Sequence, residues 1–297
     1  MITNLQKLDE ELSIREQIAR AVFQSTFSEN SLVKYGPHIG SEFTPSRLFG
    51  GQMIAQSHSA FRQLYPNDEM NSLSFKFLAP GSCDKPISYS VERLGSLARV
   101  GVIQDKKMIA ICTIKIRQSV DEFSIIGVKQ PIVPDPETMD KDQQFFKELG
   151  AGREIDLNRI LDAVLFEIYK VEMNDQRMRL WTRIHPKIKK FVNPEDRIDV
   201  CLMYTDFFTF QVCSEHLSKF NLSLAGGTSL SHNVYLHMRS EDIDVYEYHL
   251  FEVTFVAFSW NRALLRCVLY KRTLEPIMSV HQECFIQPKV AKIPAKL

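Results

Sequence analysis

The sequence predicts an α+β protein in which one unit, a helix followed by a run of antiparallel strands, occurs twice. A Gly-led segment with helical spacing near residue 50 runs into alternating, strand-like segments closed by turns, which is an α+β order. After a Pro-rich, irregular stretch, further strand-like segments and a second helix start follow. The two sets keep step. Phe75 corresponds to Tyr235 and Asp84 to Asp244, both at an offset of 160, and a sustained period is stronger evidence of a repeat than any short motif.

Each element has a local cause. Residues 7 to 30 carry Leu12, Ile14, Ile18, Val22 and Phe23 at helical spacing, predicting a helix packed on the body. In SRLFGGQMIAQSHSAFRQLYP, Gly50 and Gly51 precede Ile54, Ser57, Ala60, Phe61 and Leu64, and Pro66 ends the pattern, as at a helix that stops before a proline. Leu73, Phe75 and Phe77 then alternate with Ser74 and Lys76 up to the turn at Pro80-Gly81, a strand signature. PISYSVERL and ARVGVIQDKKMIAICTIKIRQ continue as strands, with a turn near Asp105 to Lys107. Residues 119 to 160 lose this regularity around Pro131, Pro134 and Pro136 and read as a linker. LFEIYKVEM and RLWTRI begin the second half, a helix opens near Asp206, and HNVYLHM, VYEYHLFEVTFVAF, ALLRCVLYKR and PIMSVHQECFI close it as strands. The expected division is a first repeat over residues 1–118, a linker over 119–160, a second repeat over 161–290 and a tail over 291–297.

Composition bounds the function. The 297 residues are 44% hydrophobic and 24% charged, enough for one large core or two modest ones. Lys plus Arg equal Asp plus Glu at 36 each, so no global field draws the chain to nucleic acid or to an anionic membrane. Apolar runs are of strand length and broken by charges, short of the ~20 residues of a membrane helix. MITNLQKLDEEL is acidic where a secretory leader is basic, so secretion is not expected. Six cysteines show neither a CxxC pair nor zinc spacing with histidine, pointing to free thiols in a reducing compartment and to no structural metal.

Together LFGGQMIAQ, SLSFKFLAPG and KPISYSVERL in the first half, with RLWTRI, YTDFFTF, SHNVYLH and SVHQECFI in the second, resemble the type II acyl-CoA thioesterases. These segments span roughly residues 43 to 286 in that family's order. The combination of FGGQ, a strand ending in PG and then KPIxYxVERL is what makes the resemblance specific. It implies a double hot-dog, with two antiparallel sheets each wrapping a central helix and packed edge to edge into one continuous sheet, and hydrolysis of fatty acyl-CoA to free acid and coenzyme A. The chain departs in one place: only GSLARVGVIQ follows VERL, where the family has a longer basic and aromatic stretch.

Thioester hydrolysis needs a positioned, partly deprotonated water and donors aimed at the developing oxyanion. In hot-dog enzymes the donor is commonly a backbone N–H at the start of the central helix, where unpaired amides and the helix dipole favour negative charge. By resemblance, Asp206 in YTDFFTF is the base, and Ser229 in GGTSLSHN and Gln282 in SVHQECF hold the water. The family admits Ser or Thr at the second position, which leaves Thr228 as an alternative one residue away. Taken alone, Asp206 also reads as an N-cap and Ser229 as a loop hydroxyl in a Gly-rich turn. Gln282 says more by itself. Period-2 alternation puts it on one face with Met278, Val280 and Cys284, an amide in an apolar stripe, and a buried amide left without partners costs about 1 to 3 kcal/mol. The first-half strand IAICTIKI has no such amide, so the second half is expected to carry the site.

His58 reads as a packed, hydrogen-bonded histidine, and His232, His237, His249 and His281 lack ligand spacing. FGGQ is not a phosphate loop, since GxxxxGK[ST] is absent; its glycines suit close approach of a helix to the sheet and substrate. Arg99, Arg262 and Arg266 lie near sheet edges where coenzyme A phosphates could meet them, and equally suit a solvated surface. No cofactor is expected beyond the substrate's own coenzyme A, and a homo-oligomer is left open. The closing Ala295-Lys296-Leu297 has the small-basic-Leu form of a peroxisomal address, which implies an import receptor as partner and the peroxisomal matrix as location. A hot-dog hydratase, which wants a carboxylate and a His at one helix entry, and a non-catalytic acyl-CoA binder are the competing readings.

Overall fold

The computed structural model describes residues 12–24, 32–41, 44–118, 130–139 and 165–290. The linker expected over 119–160 is therefore described only at 130–139, and the tail at 291–297 lies outside the described residues.

Helix α1 (Ile14–Ala19) opens on a capping box between Ser13 and Glu16 and continues as a π-turn over Arg20–Gln24, within the helical stretch read from the sequence. A short strand β1 (Val33–Lys34) precedes helix α2 (Gly50–Leu64) and strands β2 (Met70–Phe77), β3 (Ile87–Leu94), β4 (Leu97–Gln104) and β5 (Lys107–Ile116). The second half supplies β6 (Phe166–Met173), β7 (Arg177–Ile184), α3 (Arg197–Tyr204), α4 (Phe210–Ser218), β8 (Leu222–Leu236), β9 (His249–Ser259), β10 (Arg262–Tyr270) and β11 (Pro276–Val290). At the short GSLARVGVIQ segment, β3 and β4 are joined by a two-residue hairpin, with Leu94 opposite Leu97 and Gly95 at φ +64. The turn expected at Asp105 is a two-residue link with Asp105 and Lys106 both at positive φ, and Trp260-Asn261 repeats that geometry between β9 and β10. Both match the right-handed twist of their strands.

The strands form one antiparallel sheet in the order β1-β3-β4-β5-β2-β8-β11-β10-β9-β7-β6. The two expected sheets are thus joined edge to edge as one continuous sheet. The β2 and β8 edges, which separate sheets would leave unpaired, bond to each other, with Leu73 opposite Val234 and Ser74 opposite Asn233. These pairs sit where the offset of 160 maps the two strands onto one another, so the seam is its own two-fold partner under that repeat. The Ser74 hydroxyl donates to Asn233 Oδ1 across it at 2.7 Å.

Helix α2 is buried from Gly51 through His58 and again at Ala60 and Phe61, because it lies between the first-half strands and α3. Each polar side chain of that run has at least one partner. Gln52 Oε1 accepts from the Ile39 amide at 2.7 Å, and the Tyr89 hydroxyl donates to Gln56 Oε1 at 2.7 Å. Across to α3, His58 Nδ1 lies 2.6 Å from Asp199 Oδ1, and Arg62 Nη2 donates to Asp196 Oδ1 at 2.9 Å and Asp199 Oδ2 at 3.1 Å. This polar clamp fixes the register of α2 against α3, and His58 is the packed histidine the sequence suggested.

Two readings of the second half shift. The helix expected near Asp206 opens at Phe210 as α4, preceded by α3, which ends at Tyr204; between them the Asp206 and Phe207 amides donate to Met203 and Tyr204 carbonyls in a turn. The GGTS segment is not a loop but the middle of β8, a strand of 15 residues. Its glycines masked a strand because they carry no β preference of their own.

Candidate active site

Asp206, Ser229 and Gln282 come together from three elements. Asp206 lies in the α3–α4 turn, Ser229 on β8 and Gln282 on the neighbouring β11. Gln282 Nε2 donates to Asp206 Oδ1 at 2.7 Å and to Ser229 Oγ at 2.8 Å, and the Ser229 hydroxyl donates to Asp206 Oδ1 at 3.2 Å. A carboxylate only accepts, so the amide nitrogen of Gln282 must face it. Gln282 is fully buried, Asp206 is 5% exposed and Ser229 9%. The Gln282 amide in an apolar stripe thus has a physical reason, since Met278, Val280 and Cys284 are buried beside it. Asp206 is not an N-cap, because α4 is preceded by Thr209.

A β-bulge puts Ser229, rather than Thr228, on the face of Gln282. Gln282 pairs with His232 and Cys284 with Ser229, so Leu230 is the extra residue. Without it, Ser229 and His232, three apart, would point to opposite faces. With it, both share the face of Gln282, while Thr228 is exposed opposite Phe285.

Behind the carboxylate lies a layer that sequence reasoning missed. The Thr205 hydroxyl donates to Leu202 O at 2.8 Å and lies 2.9 Å from His232 Nε2. Having spent its proton, that oxygen accepts from an Nε2–H tautomer. His232 Nδ1 is 3.9 Å from Asp206 Oδ1. Burial pushes the His232 pKa down to about 3, so the ring is neutral and adds no charge beside Asp206. Only the bulge brings His232 here, and nothing in the sequence announces a bulge.

In front of the carboxylate stands the N-terminus of α2. A Cβ placed on Gly50 would meet Asp206 Oδ2 at 2.5 Å and Phe77 Cζ at 2.9 Å, and one on Gly51 would meet the Phe49 ring at 2.5 Å. The glycines of FGGQ therefore serve close approach, as read from the sequence. Asp206, Ser229 and Gly50 line a cavity of about 290 Å³ together with the apolar Met53, Phe77 and Phe210. Arg99 pairs with Glu92 at 2.6 Å and Arg262 lies 3.9 Å from Glu283; neither these nor Arg266 line the cavity. Among the described residues no cluster of His, Cys, Asp or Glu could hold a metal, and no helix is long and apolar enough to cross a membrane.

No protein-family model matches the chain, and no curated protein does. Solved structures do. A tesB protein from Mycobacterium avium subsp. paratuberculosis is 16% identical, with a TM-score of 0.70 over 91% of this chain and 98% of its own. An acyl-CoA thioesterase II, TesB2, from Mycobacterium marinum is 20% identical, with a TM-score of 0.60 over 81% and 90%. A conserved protein of unknown function with a hot-dog fold, from Alicyclobacillus acidocaldarius, is 14% identical, with a TM-score of 0.70 over 92% and 99%. The chain has the hot-dog fold, and TesB-type thioesterase II proteins are among its structural neighbours.

Proposed function

We propose that the chain hydrolyses fatty acyl-CoA thioesters to free fatty acid and coenzyme A. The observation that carries this reading is the convergence of Asp206, Ser229 and Gln282, with Asp206 and Ser229 lining one cavity beside the N-terminus of α2 and Gln282 buried behind them. Asp206 takes a proton from water as the water attacks the thioester carbonyl. Ser229 and Gln282 hold the carboxylate in place and help orient that water. Amides at the start of α2 face the oxygen on which negative charge develops, where the helix dipole favours it. Collapse of the tetrahedral species breaks the carbon–sulfur bond, and the proton held by Asp206 goes to the departing thiolate. The reading extends to a double hot-dog with repeats over 1–118 and 161–290, to no cofactor beyond the substrate's coenzyme A, and to import into peroxisomes through Ala295-Lys296-Leu297.

Hydrolysis of a matched acyl-CoA by purified variants tests the site. Asp206→Asn keeps the shape and removes the base, so turnover falls about 10²-fold or more. Gln282→Ala and Ser229→Ala fall less, and Thr228→Ala stays within about twofold of wild type, its side chain lying on the face of β8 opposite Gln282. Thermal melts accompany the kinetics. A folded Asp206→Asn protein with near-normal turnover sinks the proposal.

A further inference from the structure

Among the described residues, the cavity lining holds one cationic and one anionic side chain, Arg47 and Asp206. Arg47 has no ion pair among those residues, and its side chain is exposed. Its backbone, by contrast, is pinned. The Arg47 amide donates to Thr44 O at 2.8 Å, its carbonyl accepts from the Ser41 amide at 2.8 Å, and the residue bridges to Ser82. The flanking Leu48 and Cys83 amides donate to Gly81 O at 3.1 Å and Ser46 O at 2.9 Å. A cation is thus held on a fixed strap three residues before Gly50, at most about 10 Å of chain from the start of α2.

Electrostatics gives that placement a use. A carboxylate beside the reacting carbonyl repels a substrate bearing phosphates, and a cation at the mouth offsets the repulsion and captures the phosphate. Guanidinium binds phosphate oxygens through paired N–H donors.

We infer that Arg47 grips a phosphate of the thioester's carrier, so that the site selects acyl groups borne on a phosphorylated pantetheine. This rests on the reading of the site as a thioesterase. The arginines near the sheet edges, Arg99, Arg262 and Arg266, are then surface residues, and the anion contact belongs to the loop that leads into FGGQ.

The test compares Arg47→Ala, Arg47→Glu and Arg47→Lys on acyl-CoA and on the same acyl group carried by pantetheine, which has no phosphate. Arg47→Ala raises KM for acyl-CoA about tenfold or more with kcat little changed, the scale of one lost hydrogen-bonded charge contact. Arg47→Glu raises it further, and Arg47→Lys restores part of the loss. The penalty is confined to the phosphate-bearing substrate and shrinks as salt rises. Equal KM changes on both substrates, or none on either, overturn the assignment. Calorimetry of free coenzyme A separates this from the thioesterase reading. If wild type hydrolyses neither thioester, that reading fails, while binding of coenzyme A lost in Arg47→Glu still supports the grip. No binding to wild type overturns it.

Discussion

At the scale of single residues, the site depends on an absence of side chain. A methyl on Gly50 would need the space of Asp206 Oδ2, 2.5 Å away, and of the Phe77 ring. Gly50→Ala should therefore displace the carboxylate and lower kcat/KM about 10- to 100-fold, the scale on which small misplacements act. Because alanine favours helix over glycine, the melting temperature should fall little. Kinetics beside a melt checks both, and an active Gly50→Ala enzyme would mean that Asp206 is not held where the chemistry needs it. Gln282 was legible because alternation alone made its amide anomalous. Ser229 was legible only with the family, and His232 not at all, since its face depends on Leu230 being an extra residue in β8.

At the scale of elements, the clamp between α2 and α3 sets Arg62 and His58 against Asp196 and Asp199, with Lys34 close enough to feel both carboxylates. Burial, with the charge of Asp199 added, raises the Asp196 pKa from 3.8 to about 6, against the lowering pull of Arg62. Burial also lowers Lys34 to about 8. With its folded pKa above the unfolded one, Asp196 binds more proton in the folded chain between these values. Its contribution is complete below pH 3.8 and is lost as pH rises through about 6. Asp196→Asn, which keeps an acceptor for the Asn193 amide, should flatten the pH dependence of the melting temperature in that window. An unchanged slope would assign it to other groups. Helix α2 was legible from its spacing and its Pro stop. Helix α3 was not, because RIDVCLMY is short and buried on most of its surface, which leaves no polar face to set a period.

At the scale of the molecule, the continuous sheet was expected only through the resemblance, because pairing of β2 with β8 leaves no mark in either strand's own alternation; the offset of 160 relates the two strands that meet at the seam. The proposed address belongs to this scale too. A fluorescent fusion that preserves the C-terminus should collect in peroxisomes, and removing Ala295 to Leu297 should release it to the cytosol; a distribution indifferent to that deletion ends the proposal.

The seam at β2 and β8 also bears on how the two halves could diverge. Two separate copies of such a unit would have to find each other by diffusion, whereas a tether supplies the second copy at an effective concentration on the order of millimolar. A pair joined in this way no longer needs matching contents. One half can keep Asp206, Ser229 and Gln282 while the other keeps Gly50 and Arg47, and neither half alone contains the whole cavity wall. The seam thereby holds in one chain a cavity that two separate units would form only on meeting.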